Sequence, residues 1–235
     1  MATRGPLRVD TPLRRQLSGS ESARPSALDA FRQARRTFLA GDRVDMQALA
    51  RTLNVDRATL YRWVGSREQL LAEVLWSLID PTISRLRQAH SAQPAQPAQP
   101  GATGPRAATS DPSPISQSPA AAVITGTVRS VIANEGMQRF LDREGDLALR
   151  LLTTRASDFE TRLIALIGEL VSQEVAAGRL SAAVPMDDLP YLLVRVMESY
   201  IYLGLITGEH PDPDRAARVI NALLPGPPAG QATVS

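Results

Sequence analysis

The 235-residue chain sets 26 basic residues, all of them arginine, against 24 acidic ones, a formal charge of +2, and its length suits one compact domain or a small domain joined to a larger one. It has no cysteine, which excludes disulfides, thiolate metal sites and cysteine nucleophiles. No apolar run approaches the ~20 residues needed to span a bilayer, and the Arg-bearing start lacks the apolar centre of a secretory signal, so a cytoplasmic protein without a membrane partner is expected.

The charge is unevenly placed. Fifteen arginines against nine acidic residues leave +6 up to His90, and the rest of the chain carries −4. Such asymmetry points to an anionic partner for the first part, either nucleic acid or a membrane surface.

Residues 1–25 carry Arg4, Arg8, Arg14, Arg15 and Arg24 without an apolar period, and read as a flexible basic arm. From Ser26, Ala27, Phe31, Ala34, Phe38 and Leu39 fall at helical spacing until Gly41 and Asp42 end the segment. A second short helix follows in DMQALARTL with Asp45 as its N-cap, a third spans 56–64, and a long fourth spans 66–90. Residues 91–119 contain seven prolines and a short QPA repeat. Proline removes backbone donors and this composition offers little to bury, so the segment reads as a disordered linker. Helical patterning returns in candidate helices 120–134, 137–143, 145–154, 157–177, 187–206 and 212–223, and the tail 225–235 reads as loose. Without sustained period-two alternation, the chain is expected to be all-α, with parts at 26–90 and 120–224.

The stretch 45–75 carries the chemistry. On a helical wheel Met46, Leu49, Ala50 and Leu53 share one face of the second helix, while Gln47, Ala48 and Arg51 face outward. In the third helix Leu60 and Val64 form the buried stripe and Arg57, Ala58, Thr59, Tyr61, Arg62 and Trp63 point away. Asn54 tolerates a left-handed turn, Val55 plugs the gap between the helices and Asp56 caps the third. Ser66 with Gln69 is a capping-box signature for the fourth. A helix, a tight turn and a second helix with a basic, aromatic face fit a recognition helix in the DNA major groove. Arginine's planar fork pairs with guanine or phosphate, and Tyr61 and Trp63 can donate to phosphate oxygens.

MQALARTLNVDRATLYRWVGSREQLLAEVL, and LYRWVGSREQLL above all, closely resembles the DNA-binding domain of TetR-family transcriptional regulators over roughly residues 28–80. The resemblance implies that Gln47, Arg57, Thr59, Tyr61, Arg62 and Trp63 meet DNA and that Arg67 contacts phosphate. Asn54, Trp63 and Val64 depart from the family's commoner residues, which makes transfer of base specificity unsafe. FLDREGDLALRLLTTR and RVMESYIYLGLITGEHPDPDRAARVINALL resemble the sensing domain of QsdR-type regulators, associated with quorum-signal degradation. That likeness implies a three-helix helix–turn–helix domain joined by a long helix to a helical domain that binds a ligand and dimerises.

The second part suits that architecture. Phe159, Leu163, Leu166, Ile167, Leu170 and Val171 give 157–177 a wide apolar face, and 189–206 is apolar nearly all round, more than one monomer face needs. Arg195, Glu198, Ser199 and Tyr202 line one polar stripe within it. Such a stripe must be satisfied internally, by a dimer partner or by a ligand. Asn134 reads as a helix cap with a pocket role left open, Arg150 and Arg155 as surface groups that could reach a cavity, and Tyr200 as interface or core.

The expected function is a ligand-responsive transcriptional regulator. It would be a homodimeric repressor on an inverted-repeat operator, released by a small apolar effector such as a lactone or acyl compound, with no cofactor or metal. With two histidines, no Gly-rich phosphate loop and no metal-ligand spacing, an enzyme is hard to assemble. A protein-interaction adaptor that keeps the helix–turn–helix shape is the remaining rival.

Overall fold

The computed structural model describes residues 25–91, 118–153, 157–180 and 184–225. The arm up to residue 24, most of the Pro-rich linker, Arg155 and the tail after Pro225 lie outside them. Among the described residues the chain is all-α, as its periodicity predicts: α1 (Ala27–Leu39), α2 (Met46–Thr52), α3 (Arg57–Val64), α4 (Arg67–Ser91), α5 (Pro119–Ile132), α6 (Glu135–Thr153), α7 (Phe159–Ala176), α8 (Leu189–Ile201), α9 (Leu203–Thr207) and α10 (Pro213–Leu223).

Local chemistry sets the first helices. Ser26 and Asp29 close a reciprocal capping box on α1, and Asp45 and Asp56 each accept the amide three residues on, at 2.7 Å, to start α2 and α3. Asn54 turns the chain between them at φ 53°. Gln69 accepts the Ser66 amide at 2.7 Å while Ser66 Oγ accepts from the Gln69 amide at 3.2 Å, so α4 starts on the capping box its sequence announces. The α1 stripe is turned from the expected one: Ala30, Ala34 and Phe38 are buried and Phe31 half-buried, while Ala27 and Leu39 lie outside. Leu60 is the buried anchor of α3.

Long α4 passes from the α1–α3 unit into the second group of helices, packing on α1 and α3 at one end and on α5 further along. There α5 packs on α10, and α8 lies against α7 and α10. Ser118 caps α5 by accepting the Ala121 amide and donates to the Leu224 carbonyl at 3.1 Å. Ser118 and Pro119, read in sequence as linker, therefore belong to the folded part.

One expectation holds and one changes. The segments 137–143 and 145–154 adjoin as α6, and they are broken where the sequence separates them, at Glu144, which leaves helical geometry (φ −135°, ψ 38°). The single helix expected over 187–206 is two, α8 and α9, interrupted at Tyr202. Gly204 lies two residues beyond the break, and Tyr202, at the break, is 5% exposed.

Candidate nucleic-acid interface and internal cavity

With Leu60 fully buried, α3 presents its remaining faces outward. Arg57, Ala58, Tyr61 and Arg62 are exposed, Thr59 and Trp63 half-buried, and Gln47 is exposed on neighbouring α2. The Arg57 guanidinium lies over the Tyr61 ring, 5.9 Å from its centroid, close enough for a cation–π contact that holds both side chains on one ridge. Thr59 Oγ1 donates to Asp56 at 2.8 Å. The backbone amide and hydroxyl of Thr59 hold the Asp56 carboxyl below its usual range, so the cap stays ionised beside this basic face.

Arg67 departs from the reading that the resemblance implies. Its side chain is 16% exposed, Nε donates to the Val44 carbonyl at 2.6 Å, and Nη2 meets Glu144 Oε1 at 2.7 Å. Those bonds turn the guanidinium inward, toward the α6 kink, instead of outward with Arg57 and Arg62. It ties elements together here.

Glu144 is the centre of that tie, and sequence reasoning did not single it out. Arg43, from the turn between α1 and α2, approaches its other oxygen at 3.5 Å. Arg139 and Arg143, one turn apart on α6, donate to the carbonyls of Ala40 and Gly41 at 2.9 Å each. Gly41 sits at φ 74°, a turn conformation that favours glycine. Phe38 packs edge-to-face on Phe140 with centroids 5.5 Å apart. The first half of α6 thus grips the turn that carries α2 and α3. The i, i+4 spacing of Arg139 and Arg143 was visible in the sequence; their partners, some hundred residues away, were not.

A partly open cavity of about 70 Å³ lies deeper, bounded by α4, α5, α6, α7 and α8. Leu75, Leu78, Ile79, Met137, Leu163 and Met197 make most of its wall, and Thr82, Ser130, Asn134, Glu198 and Tyr202 add polar groups. Asn134 Oδ1 accepts the Met137 amide at 2.9 Å, so it caps α6 while bordering the cavity. Arg195 is not in the wall. Its Nη2 bridges Glu160 at 2.7 Å and Glu198 at 2.9 Å, and Ser199 donates back to the Arg195 carbonyl, so the polar stripe of α8 is in part an internal network and in part cavity lining. Burial pushes the Glu198 carboxyl up to about 7, with Arg195 opposing and Glu160 adding to the rise. Burial likewise raises the Tyr202 phenol far above its usual value. Trp76 packs edge-to-face on Phe159, a cavity-wall residue, with centroids 5.9 Å apart, and the Arg162 guanidinium covers the Trp76 ring at 4.2 Å. Arg150 is largely exposed and pairs with Glu68 at 3.5 Å. Tyr200 is half-buried against the core.

No helix among the described residues is long and apolar enough to cross a membrane, and no group of three or more metal-ligating side chains converges among them. A helix–turn–helix with a basic, aromatic outer face, tied through one kinked helix to a second helical unit with a mostly apolar cavity, defines an all-α DNA-binding regulator.

Comparison with known proteins places the second part of the chain in a family. Residues 118–225 match the tetracyclin repressor-like C-terminal domain. Among solved structures, the transcriptional repressor QsdR of R. erythropolis, from the TetR family, is 26% identical, with 84% of this chain and 93% of that chain covered and a TM-score of 0.63. The TetR-family repressor AlkX of a Dietzia species, implicated in n-alkane biodegradation, is 20% identical over 86% of this chain and 93% of that one, with a TM-score of 0.47. No curated protein matches the chain. The second helical part thus matches a TetR-type C-terminal domain, and the chain as a whole is similar in fold to the TetR-family repressor QsdR.

Proposed function

We propose that the chain is a homodimeric repressor that works in the cytoplasm, binds an inverted-repeat operator and is released from it by a small, mostly apolar effector. Residues 26–90 read DNA, residues 120–224 hold the effector and the dimer contact, and 91–119 join them. The observation that carries the reading is the double engagement of α6: Met137 and Leu152 wall the cavity, while Arg139, Arg143 and Glu144 bond the α1–α2 turn and Arg67. A cavity of about 70 Å³ is far below the roughly 300–1,000 Å³ of drug-sized sites, so an effector must enlarge it. The displaced wall includes α4 and α6, the two elements that position α3. Effector and DNA then oppose each other through their differential affinity for the two arrangements.

On DNA, Gln47, Arg57, Ala58, Thr59, Tyr61, Arg62 and Trp63 form the contact surface, with Arg57 and Arg62 reading bases or phosphates and Trp63 lying against the backbone. Two such surfaces in one dimer meet half-sites about 34–36 Å apart. The test is selection of random duplexes by the full-length protein at two salt concentrations. An inverted repeat among the bound sequences is expected. Binding without a motif that merely fades with salt would leave only a basic surface and favour the adaptor.

A further inference from the structure

The reading of the cavity as an effector site leaves the effector's head group open, and the side chains around Glu198 address it. No arginine or histidine lines the cavity, and Glu198 is its one carboxyl. Thr82 and Ser130 already donate their hydroxyls to the carbonyls of Leu78 and Gly126, at 2.7 and 2.8 Å, so toward the cavity they offer lone pairs. Asn134 Oδ1 is engaged by the Met137 amide.

Charge around Glu198 is unbalanced. Facing it are Arg195 on its own helix and Glu160 from α7, with the Tyr202 phenol one turn further along. One guanidinium nitrogen serves both carboxylates, at 2.7 and 2.9 Å, which leaves one negative charge in excess when both are ionised. A buried charge in excess is costly until a partner arrives. Arg195 brings a single positive charge to the pair whichever of its nitrogens bonds, and its Nε is buried without a hydrogen-bond partner.

We propose that the cavity selects an effector with a protonated amine on an apolar body, and that Glu198 is its counter-ion. The ammonium supplies the missing positive charge and donates to Glu198, Thr82 and Ser130, while the body lies against Leu75, Leu78 and Met197. A carboxylate effector meets like charge. A lactone or ester carbonyl finds only the neutral donors of Asn134 Nδ2 and the Tyr202 hydroxyl and leaves the charge on Glu198 unmatched. Because burial keeps Glu198 protonated up to about pH 7, binding an ammonium below that pH displaces a proton from the carboxyl, and affinity falls by up to about tenfold per pH unit.

The experiment titrates the full-length protein with octylamine, octanoate and γ-octalactone at about pH 6 and about pH 8, read by melting temperature and by Trp76 fluorescence. Octylamine is expected to bind best, about tenfold tighter at the higher pH, and to lose that preference in Glu198→Gln. The wild-type pH profile stands on its own should that variant fold poorly. Tighter binding of lactone or octanoate, or binding indifferent to head group and pH, overturns the amine assignment and leaves the effector site intact. Failure of all three to bind overturns both.

Discussion

Arg57 and Arg67 lie ten residues apart and differ in what their guanidiniums already touch. Arg57 stands on an exposed ridge with Tyr61, whereas Arg67 is committed to Val44 and Glu144. Arg57→Ala is therefore expected to cost operator binding about 1–3 kcal/mol and to relax preference at one base pair, as loss of a base contact does. Arg67→Ala is expected to lower affinity while leaving the salt slope unchanged, where a lost phosphate contact would reduce it by about one. Binding isotherms over a salt series separate the two, and a reduced slope for Arg67→Ala returns it to the phosphate backbone. Glu198 makes a residue-scale prediction for stability. Its carboxyl rises from 4.5 to about 7 on folding, so the folded state holds the proton more tightly. The resulting contribution is full below pH 4.5 and is lost as pH rises through about 7. Urea unfolding between those limits should show the wild type weakening relative to Glu198→Gln as pH rises, and parallel curves would mean that the carboxyl is solvated.

Among the elements, α6 couples the two halves, and Gly136 sets how closely it approaches α1. A Cβ at Gly136 would lie 2.5 Å from the Phe38 carbonyl oxygen and 3.2 Å from Leu39 Cα, backbone atoms that cannot swing aside. Gly136→Ala is expected to lower the melting temperature and to displace the α1–α2 turn, weakening operator binding without removing any DNA contact. Unchanged operator affinity in a folded variant would show that α6 does not govern α3. How much of this the sequence disclosed follows from the range of each interaction. The caps at Asp45, Asp56 and Ser66, the turn at Asn54 and the outward face of α3 rest on contacts within a few residues, and all were legible. The break at Glu144 was legible too, between two candidate helices, but its purpose was not, because Arg43 and Arg67 reach it from the other end of the chain. The interruption at Tyr202 left only a weak local mark, Gly204 within an apolar run that otherwise reads as one helix. Arg67 was assigned by likeness to a family pattern, and a likeness in sequence carries no information about a partner 77 residues away.

At the scale of the whole molecule, one copy leaves an apolar surface uncovered. Tyr191 and Leu192 of α8 are 49% and 37% exposed, and Leu205 and Ile206 of α9 are 39% and 62% exposed. These two helices carry most of the large exposed apolar side chains among the described residues, and a second copy supplies the same surface, which a two-fold contact makes self-complementary. A stable pair of this kind buries roughly 1,200–2,000 Å² in total, so a charge placed inside it must be desolvated without a partner. Leu192→Arg and Ile206→Arg are each expected to shift the protein toward monomer in sedimentation experiments while leaving the fold, by circular dichroism, intact. DNA binding then distinguishes assembly from contact. The monomer keeps every residue of the α3 face, so its affinity for an isolated half-site should match the wild type, whereas its affinity for the full inverted repeat should fall to the half-site value because the second contact no longer follows from the first. A variant that stays dimeric at all concentrations would place the interface on another face. A variant that becomes monomeric yet keeps full-site affinity would mean that the two half-sites are read independently, and the effector would then have to act within one chain, through α6 alone.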